Sequence, residues 1–433
     1  MLILILCGLV ALGCLVGGFR TLRKKRLVDD LPTSKTRGVF IGISELKGTA
    51  ESDAPLTSFL AGVRCVYYSW QVEEQWSRVV TTTSTDAKGN THVSTHTETG
   101  WTKVAHGGES MSFYLQDDTG ILRIVPEGAR INGVTTLSKT CSPGDVLYYG
   151  KGPAEQIANS THKRRFSETA LPLHTMLYVM GQARERSDIA AAEIAADKNA
   201  AMFLISTRTE KQISAGYLWG IWLWFFFGLC LAVGGAVGSE LLKSSGAGLN
   251  GQPVIWAVVG FAVALLLGWV WTVYNSLISL RNMVRRGWSQ VDIQLKRRFD
   301  LIPNLESIVK GYRDYESGTQ ALLAELRAQA EATPPGVVGA DFKGISPLLR
   351  VVIEKYPDLK ASESFLKLQQ ALADTEQRIA LARDYFNNVA TFYNTRLEIV
   401  PDRFVAAVAR LRPRALMSAA DFERAPVIVH LAD

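Results

Sequence analysis

Three stretches almost free of charge, each long enough to cross a bilayer, limit this chain more than any other feature. A hydrocarbon core about 30 Å thick needs roughly 20 apolar residues in a helix. Residues 1–19 supply the first stretch. Residues 216–238 supply the second, with Trp219, Trp222, Trp224 and the run Phe225 to Phe227. Residues 253–274 supply the third and end near Trp269, Trp271 and Tyr274, aromatic side chains that favour the headgroup zone. The pattern is that of an integral membrane protein with three transmembrane helices. Between and after them lie a basic juxtamembrane linker (20–34), a soluble region (35–212), a loop (239–252) and a second soluble region (275–433).

The order of charge predicts topology. Arg20, Arg23, Lys24, Lys25 and Arg26 follow the first stretch, and Arg281, Arg285 and Arg286 follow the third. The loop 239–252 holds a single basic residue, Lys243. Lysine and arginine stay on the cytoplasmic side. The expected layout is therefore an N-terminus outside, the loop outside and both soluble regions cytoplasmic, in a bacterial inner membrane. A signal peptide, or a lipoprotein leader at Cys14, is the alternative reading of residues 1–19. Both put positive charge before the apolar run, whereas here it follows. The net charge of +6 matches such flanks and gives no argument for nucleic acid as a partner. There are five cysteines. Cys7, Cys14 and Cys230 lie in the apolar stretches, Cys65 and Cys141 outside them, and no Cys-x-x-Cys occurs to suggest a zinc ribbon or RING.

From residue 32 to about 150 the chain reads as β. Segments such as Val63 to Val72 are rich in branched and aromatic residues. Threonine-rich runs, 78–85 and 92–101, flank Asp86 to Asn90, a good hairpin turn. Ser112 to Leu115 and Ile121 to Val125 flank a second turn at Asp117-Asp118-Thr119-Gly120. Strands are also expected around Leu177–Met180 and Met202–Ser206, with an alanine-rich segment at 189–201. Short strands with regular turns predict a small barrel or sandwich.

The last region reads as helical. Leu277, Leu280, Val284, Trp288, Val291 and Leu295 recur in steps of three and four, so they make one stripe. No Gly or Pro lies between Gly268 and Gly287, so the third span should run straight into this helix. Pro303 lacks an amide and should kink or restart it, giving a second helix from Asn304 to about Ala332, ended by Thr333-Pro334-Pro335-Gly336. A connection follows, with a short helix at 347–356. A long helix is expected from Ser362 to about Val400, with Phe365, Leu368, Leu372, Ile379, Ala382, Phe386, Val389 and Tyr393 on its apolar face. A short helix follows Pro401. Such faces bury one another in an antiparallel bundle. The predicted class is a multi-domain α+β membrane protein: three transmembrane helices, a β-rich domain and a C-terminal helical bundle.

Chemistry-bearing motifs are sparse. His92 and His96 point one way in a strand but sit about 13 Å apart, too far for one metal ion. Glu73 and Glu74 alternate faces, which suggests a solvated edge. No nucleophile elbow or phosphate loop occurs. An enzyme site around Cys65, Glu73, His92 and His96 is the remaining catalytic alternative. Gly13/Gly17 and Gly234/Gly238 have the spacing for close helix packing. Arg281, Arg285 and Arg286 are placed to meet lipid headgroups. The triplet Lys296, Arg297 and Arg298 lies about 33 Å beyond Tyr274 along a helix, past a Debye length, so its partners are expected in the bundle or a neighbouring subunit.

Tyr274 to Leu277, Leu280-Arg281-Asn282, Trp288, Asp292 to Arg298 and Asp300 to Leu305 resemble the LemA family, MamQ-type members included. So do Ala382 to Asn387, Tyr393-Asn394, Pro401 and the tail 422–426. Phe386 departs from the pattern, where the family keeps a Tyr-Asn pair adjacent. Residues 35–212 are more loosely similar to the GIDE domain of membrane-anchored ubiquitin ligases. The shared features are Cys65, Trp70 to Glu74, Trp101, Phe113 to Asp117, Ile124 to Ala129, Leu177 to Gly181 and Leu204 to Ser206. The ligases keep their chemistry in a separate RING, so ligase activity is not carried over. The LemA resemblance implies a membrane-anchored helical protein without catalytic residues or cofactor. It marks Lys296, Arg297, Arg298, Asp300, Pro303, Asn304, Tyr385, Asn387, Tyr393 and Asn394 as a candidate assembly or partner surface. The expected role is a non-enzymatic scaffold that self-associates and organises membrane or membrane-protein partners. A regulatory adaptor for a membrane protease or signalling kinase is the alternative.

Overall fold

The structure is a computed structural model that describes residues 2–85, 91–186, 191–198, 200, 202–243, 251–311 and 363–417. The predicted turn at 86–90, residues 244–250 of the loop 239–252, the helix expected beyond Gly311 with its stop at 333–336, the short helix at 347–356 and the tail 422–426 lie outside these residues. The chain forms two units: Met1–Pro32 with Glu210–Asp433, and Thr33–Thr209.

The first unit is helical. Helix α1 (Leu2–Asp30), α3 (Glu210–Lys243) and α4 (Gln252–Gly311) contain the three apolar stretches and are long and apolar enough to cross a membrane. Leucines, phenylalanines and tryptophans stay exposed along them, among them Leu9, Trp219, Trp222, Trp256 and Trp271, as a lipid-facing surface requires. The basic stretch after Phe19 continues α1 as helix to Asp30, since nothing there breaks the hydrogen-bond ladder. Helix α3 runs antiparallel to α1: Phe19 meets Phe225 with ring centroids 5.3 Å apart, and Cys7 lies against Gly235. Of the two glycine pairs singled out by spacing, only Gly17 is closely approached: a Cβ there would sit 3.1 Å from the Trp224 ring. Gly13, Gly234 and Gly238 have open space where a Cβ would be, whereas a Cβ on Gly268 would sit 2.2 Å from the Phe19 ring. Spacing marks a face of a helix, and only packing decides which glycines that face uses.

Helix α4 holds 60 residues, about 90 Å at 1.5 Å per residue. It continues through Pro303 to Gly311 instead of restarting at Asn304. Pro303 and Phe299 are both exposed, so water can take up the carbonyl that the missing amide leaves unpaired. The predicted stripe is the buried one: Leu277, Leu280, Val284, Val291 and Leu295 are all below a tenth exposed. Against it pack α5 (Glu363–Glu398), whose eight predicted apolar residues are all buried, and α6 (Asp402–Val408). The pairing is antiparallel, since Trp288 meets Phe386 (centroids 5.9 Å apart) while Arg298, ten residues on, meets Glu376. Val273 and Leu277 pack on Val405 and Ala406 of α6, with Leu397 and Leu411.

The second unit holds thirteen strands among its described residues and a short helix, α2 (Val146–Gly150). Strands β2 (Gly42–Glu51), β6 (Phe113–Gln116), β7 (Ile121–Ile124), β12 (Ala192–Ala195) and β11 (Met176–Glu185) pair in that order. Because β11 also pairs β2, they close a five-stranded barrel. Leu46, Phe113, Leu115, Ile124, Leu177, Val179 and Ile194 fill it. A second sheet carries β4 (Arg64–Thr85) between β10 (Ser160–Pro172) and β5 (Thr91–Ser110). Beyond Trp76, where β10 ends, β4 and β5 continue as a two-stranded ribbon.

Strand β10 escapes the alternation argument because its inward face is Arg164, Phe166, Glu168 and Ala170. Arg164 and Glu74 are both wholly buried, and their side chains meet at 3.0 Å. Arg164 also donates to the carbonyls of Tyr148 (3.0 Å), Pro153 (2.7 Å) and Glu155 (2.8 Å), and its guanidinium lies over the Tyr148 ring. Glu74 is therefore not on a solvated edge. It sits in the middle strand of a sheet, where a carboxylate is tolerated only with a paired cation. Glu73, on the opposite face, pairs with Arg165.

Candidate functional site at the charged junction and bundle face

Where α1 ends, four charged side chains from three helices meet. The Arg26 guanidinium donates to both carboxylate oxygens of Asp402, at 3.2 and 3.3 Å. Arg396, in the last turn of α5, contacts Asp402 and lies 3.5 Å from Asp30. The Ser276 hydroxyl of α4 donates to Asp30 at 3.0 Å. Asp30 and Asp402 are 6% and 4% exposed, so the cluster is neutral and largely dry. Local rules favour it: a cation in a helix's last turn and an acid in the first turn both oppose the helix dipole. Removing one member would strand its partner in a poorly hydrated place, at about 3–5 kcal/mol. The sequence alone places only Arg26 here, as one of the basic residues bordering the first apolar stretch. Asp30, Arg396 and Asp402 escape that reading; the one signal is the acidic pair Asp29-Asp30 at the end of an otherwise basic border.

The remaining border residues separate by exposure. Arg20, Arg23, Lys24, Arg285 and Arg286 are exposed, and Lys25 and Arg281 half-buried. Lys25 bonds Asp29 at 2.5 Å. Arg285 and Arg286 lie about 17 Å beyond Tyr274 along α4, within reach of a headgroup layer.

The candidate bundle surface also divides. Lys296, Arg297, Asp300, Pro303 and Asn304 are exposed. Arg298 is 1% exposed, turned between α4 and α5 toward Glu376 at 3.4 Å. Tyr393 is buried and Tyr385 half-buried, and burial pushes both phenols above their ordinary range, with Arg281 and Arg414 near Tyr393 and Arg286 near Tyr385 pulling the other way. Asn387 and Asn394 face the chain's own continuation. Asn387 donates to the carbonyl of Met417 (3.0 Å) and accepts from its amide (2.8 Å). Asn394 does the same with Arg414, at 2.7 and 2.8 Å.

In the β unit the residues of the catalytic alternative are apart. Cys65 opens β4, while His96 pairs with Val80, roughly 50 Å along the strand. Cys65 is wholly buried and its thiol is pushed up to about 11 by burial, with Glu168 adding to the shift. Burial likewise raises Cys141. His96 is exposed beside Glu98, and Glu73 is held by Arg165. Among the described residues, no three His, Cys, Asp or Glu side chains converge on a metal position.

Comparison with known proteins places this geometry. A family model described as "LemA family" matches residues 287–430, and one described as "E3 Ubiquitin ligase", the GIDE model, matches residues 81–238. The C-terminal region is LemA-like and the region before it GIDE-like. Protein LemA of Metamycoplasma hominis is 25% identical over 158 residues, which are 35% of this chain and 72% of that protein. Magnetosome protein MamQ 2 of Paramagnetospirillum magneticum and magnetosome protein MamQ of Magnetospirillum gryphiswaldense are each 21% identical over 184 residues. The match spans 36% of this chain and 66% of each of them. The LemA-like match takes in the second half of the α4 stripe (Trp288, Val291 and Leu295), all of α5 and the Asn387 and Asn394 contacts. The GIDE-like match begins inside β4 and ends within α3. With three helices fit to cross a bilayer, the chain is a membrane protein.

Proposed function

We propose that this chain is a non-enzymatic, membrane-anchored scaffold that self-associates and organises membrane or membrane-protein partners. One observation carries the reading: α4 passes without a break from its apolar stretch into the bundle and is tied to α1 through the neutral cluster around Asp30 and Asp402. A bundle fixed in this way to its own spans is held at a set distance from the bilayer, and its exposed residues face neighbours confined to the same plane. Confinement raises effective concentration, so weak contacts suffice. The LemA and magnetosome relatives support a role at membranes. The buried thiols and scattered histidine and glutamate positions support the absence of catalysis in the GIDE-like region.

The proposed layout puts the N-terminus outside and both soluble regions in the cytoplasm of a bacterial inner membrane. Chemical crosslinking in native membranes, followed by size determination in detergent, tests the scaffold. Homo-oligomeric products support it, and a strict monomer at high membrane density overturns it. Products containing chiefly a protease or kinase would favour the adaptor reading. Protease added to intact cells should leave the β4–β5 ribbon uncut.

A further inference from the structure

The two asparagines of α5 form a ruler for extended backbone. They are seven residues apart on a helix, about 10.5 Å at 1.5 Å per residue. The residues they hold, Arg414 and Met417, are three apart on a non-helical segment, about 10 Å when extended. The two spacings match, and the segment runs antiparallel to α5. Each side-chain amide engages both the N–H and the C=O of one residue. Such contacts read backbone and ignore side-chain identity. Leu411 joins the cluster on α4 and α6 at one end of the segment, and Met417 is buried at the other. Residues 412 to 416 between them are exposed.

The segment leaves α6 through a turn at Ala409 and Arg410. Arg410 holds φ at +52°, the left-handed region that a residue with a side chain rarely occupies. A strained hinge that feeds an exchangeable element is the arrangement that favours swapping between identical chains. Straightening the hinge relieves Arg410, and a second copy offers the same amides and the same apolar seats.

We infer that residues 411–417 bind the Asn387/Asn394 site of a second copy, so that exchange of this strap joins one bundle to the next. The inference rests on the self-association reading and names the contact responsible. The occupant is an identical strap because it alone brings Leu411 and Met417 in register with the ruler. In the membrane, neighbouring bundles stand at equal height and present strap and site at the same level.

Two full-length variants with different tags test this in one host membrane. One carries N387A and N394A, so it has a strap and no ruler. The other has residues 411–417 replaced by a glycine-serine stretch of equal length, so it has a ruler and no strap. Strap exchange predicts that the unlike pair co-purifies at least about tenfold better than either variant with itself, since two lost bidentate contacts exceed a tenfold change in affinity. Equal recovery of like and unlike pairs would show association by another surface and overturns the strap while leaving the scaffold standing. A wild-type chain that fails to co-purify with itself overturns the scaffold reading too. Circular dichroism of each variant establishes that the helices remain. A photoreactive residue at Ala415, in mixed heavy and light wild-type chains, gives the second readout. Heavy-to-light crosslinks into α5 support exchange, and exclusively same-chain crosslinks refute it.

Discussion

Replacing Arg164 with methionine should destabilise the β unit more than any other single apolar substitution there. Arg164 and Glu74 are both wholly buried, so R164M leaves a carboxylate inside the sheet with the Ser160 hydroxyl, at 2.5 Å, as its remaining close side-chain partner among the described residues. Breaking a buried pair from one side costs about 3–5 kcal/mol. The carbonyls of Tyr148, Pro153 and Glu155 lose their donor as well, and packing around methionine recovers part of that loss. At about 2–4 °C per kcal/mol for a unit of this size, the melting temperature should fall by roughly 6–20 °C. The double variant E74M/R164M removes the stranded charge and should lie between R164M and wild type. The assay is thermal unfolding of the full chain in detergent, with hydrogen exchange on residues 145–155 to localise the change. An R164M cost below about 1 kcal/mol would refute the reasoning. So would a double variant less stable than R164M, because the cost would then not come from the uncompensated carboxylate.

Other predictions follow from separate parts of the molecule. D402A leaves Arg26 and Arg396 with Asp30 as their one shared counter-ion in the cluster and should cost about 3–5 kcal/mol in the helical unit, seen as faster proteolysis at the exposed Ile399–Val400 turn. Failure of D402A to change that cleavage counts against the junction. G268V drives a Cβ into the Phe19 ring and should lower detergent stability by about 1–3 kcal/mol, while G13V, with open space, should be neutral; equal effects would refute the assigned helix contacts. The Cys65 thiol sits near 11 in the folded chain against an ordinary 9.0, raised by burial. Its folded form therefore keeps a proton that the unfolded chain releases, so stability is retained below pH 9 and lost as pH rises from 9 toward 11. C65A should flatten that alkaline loss in denaturant titrations, and an unchanged slope would exclude Cys65 as its source.

Hydrophobic periodicity is a local signal, and wherever apolar residues define the buried face it is sufficient. Residue order by itself determined the three apolar helices, the stripe from Leu277 to Leu295, the buried face of α5, the β6–β7 hairpin of the barrel and the pairing of β4 with β5. It did so because burying a stripe on a helix or alternate residues on a strand is favourable in nearly any context. Tertiary structure alone decided where charge goes inside. Arg164 finds Glu74 across 90 residues, and Arg26 finds Asp402 across 376. The cost of burying each ion depends on a counter-ion that no local window contains. The same holds for Asn387 and Asn394, which read on a helix surface as sites for a partner. Only the path of the chain after Arg410 put residues 414 and 417 within hydrogen-bond reach of both.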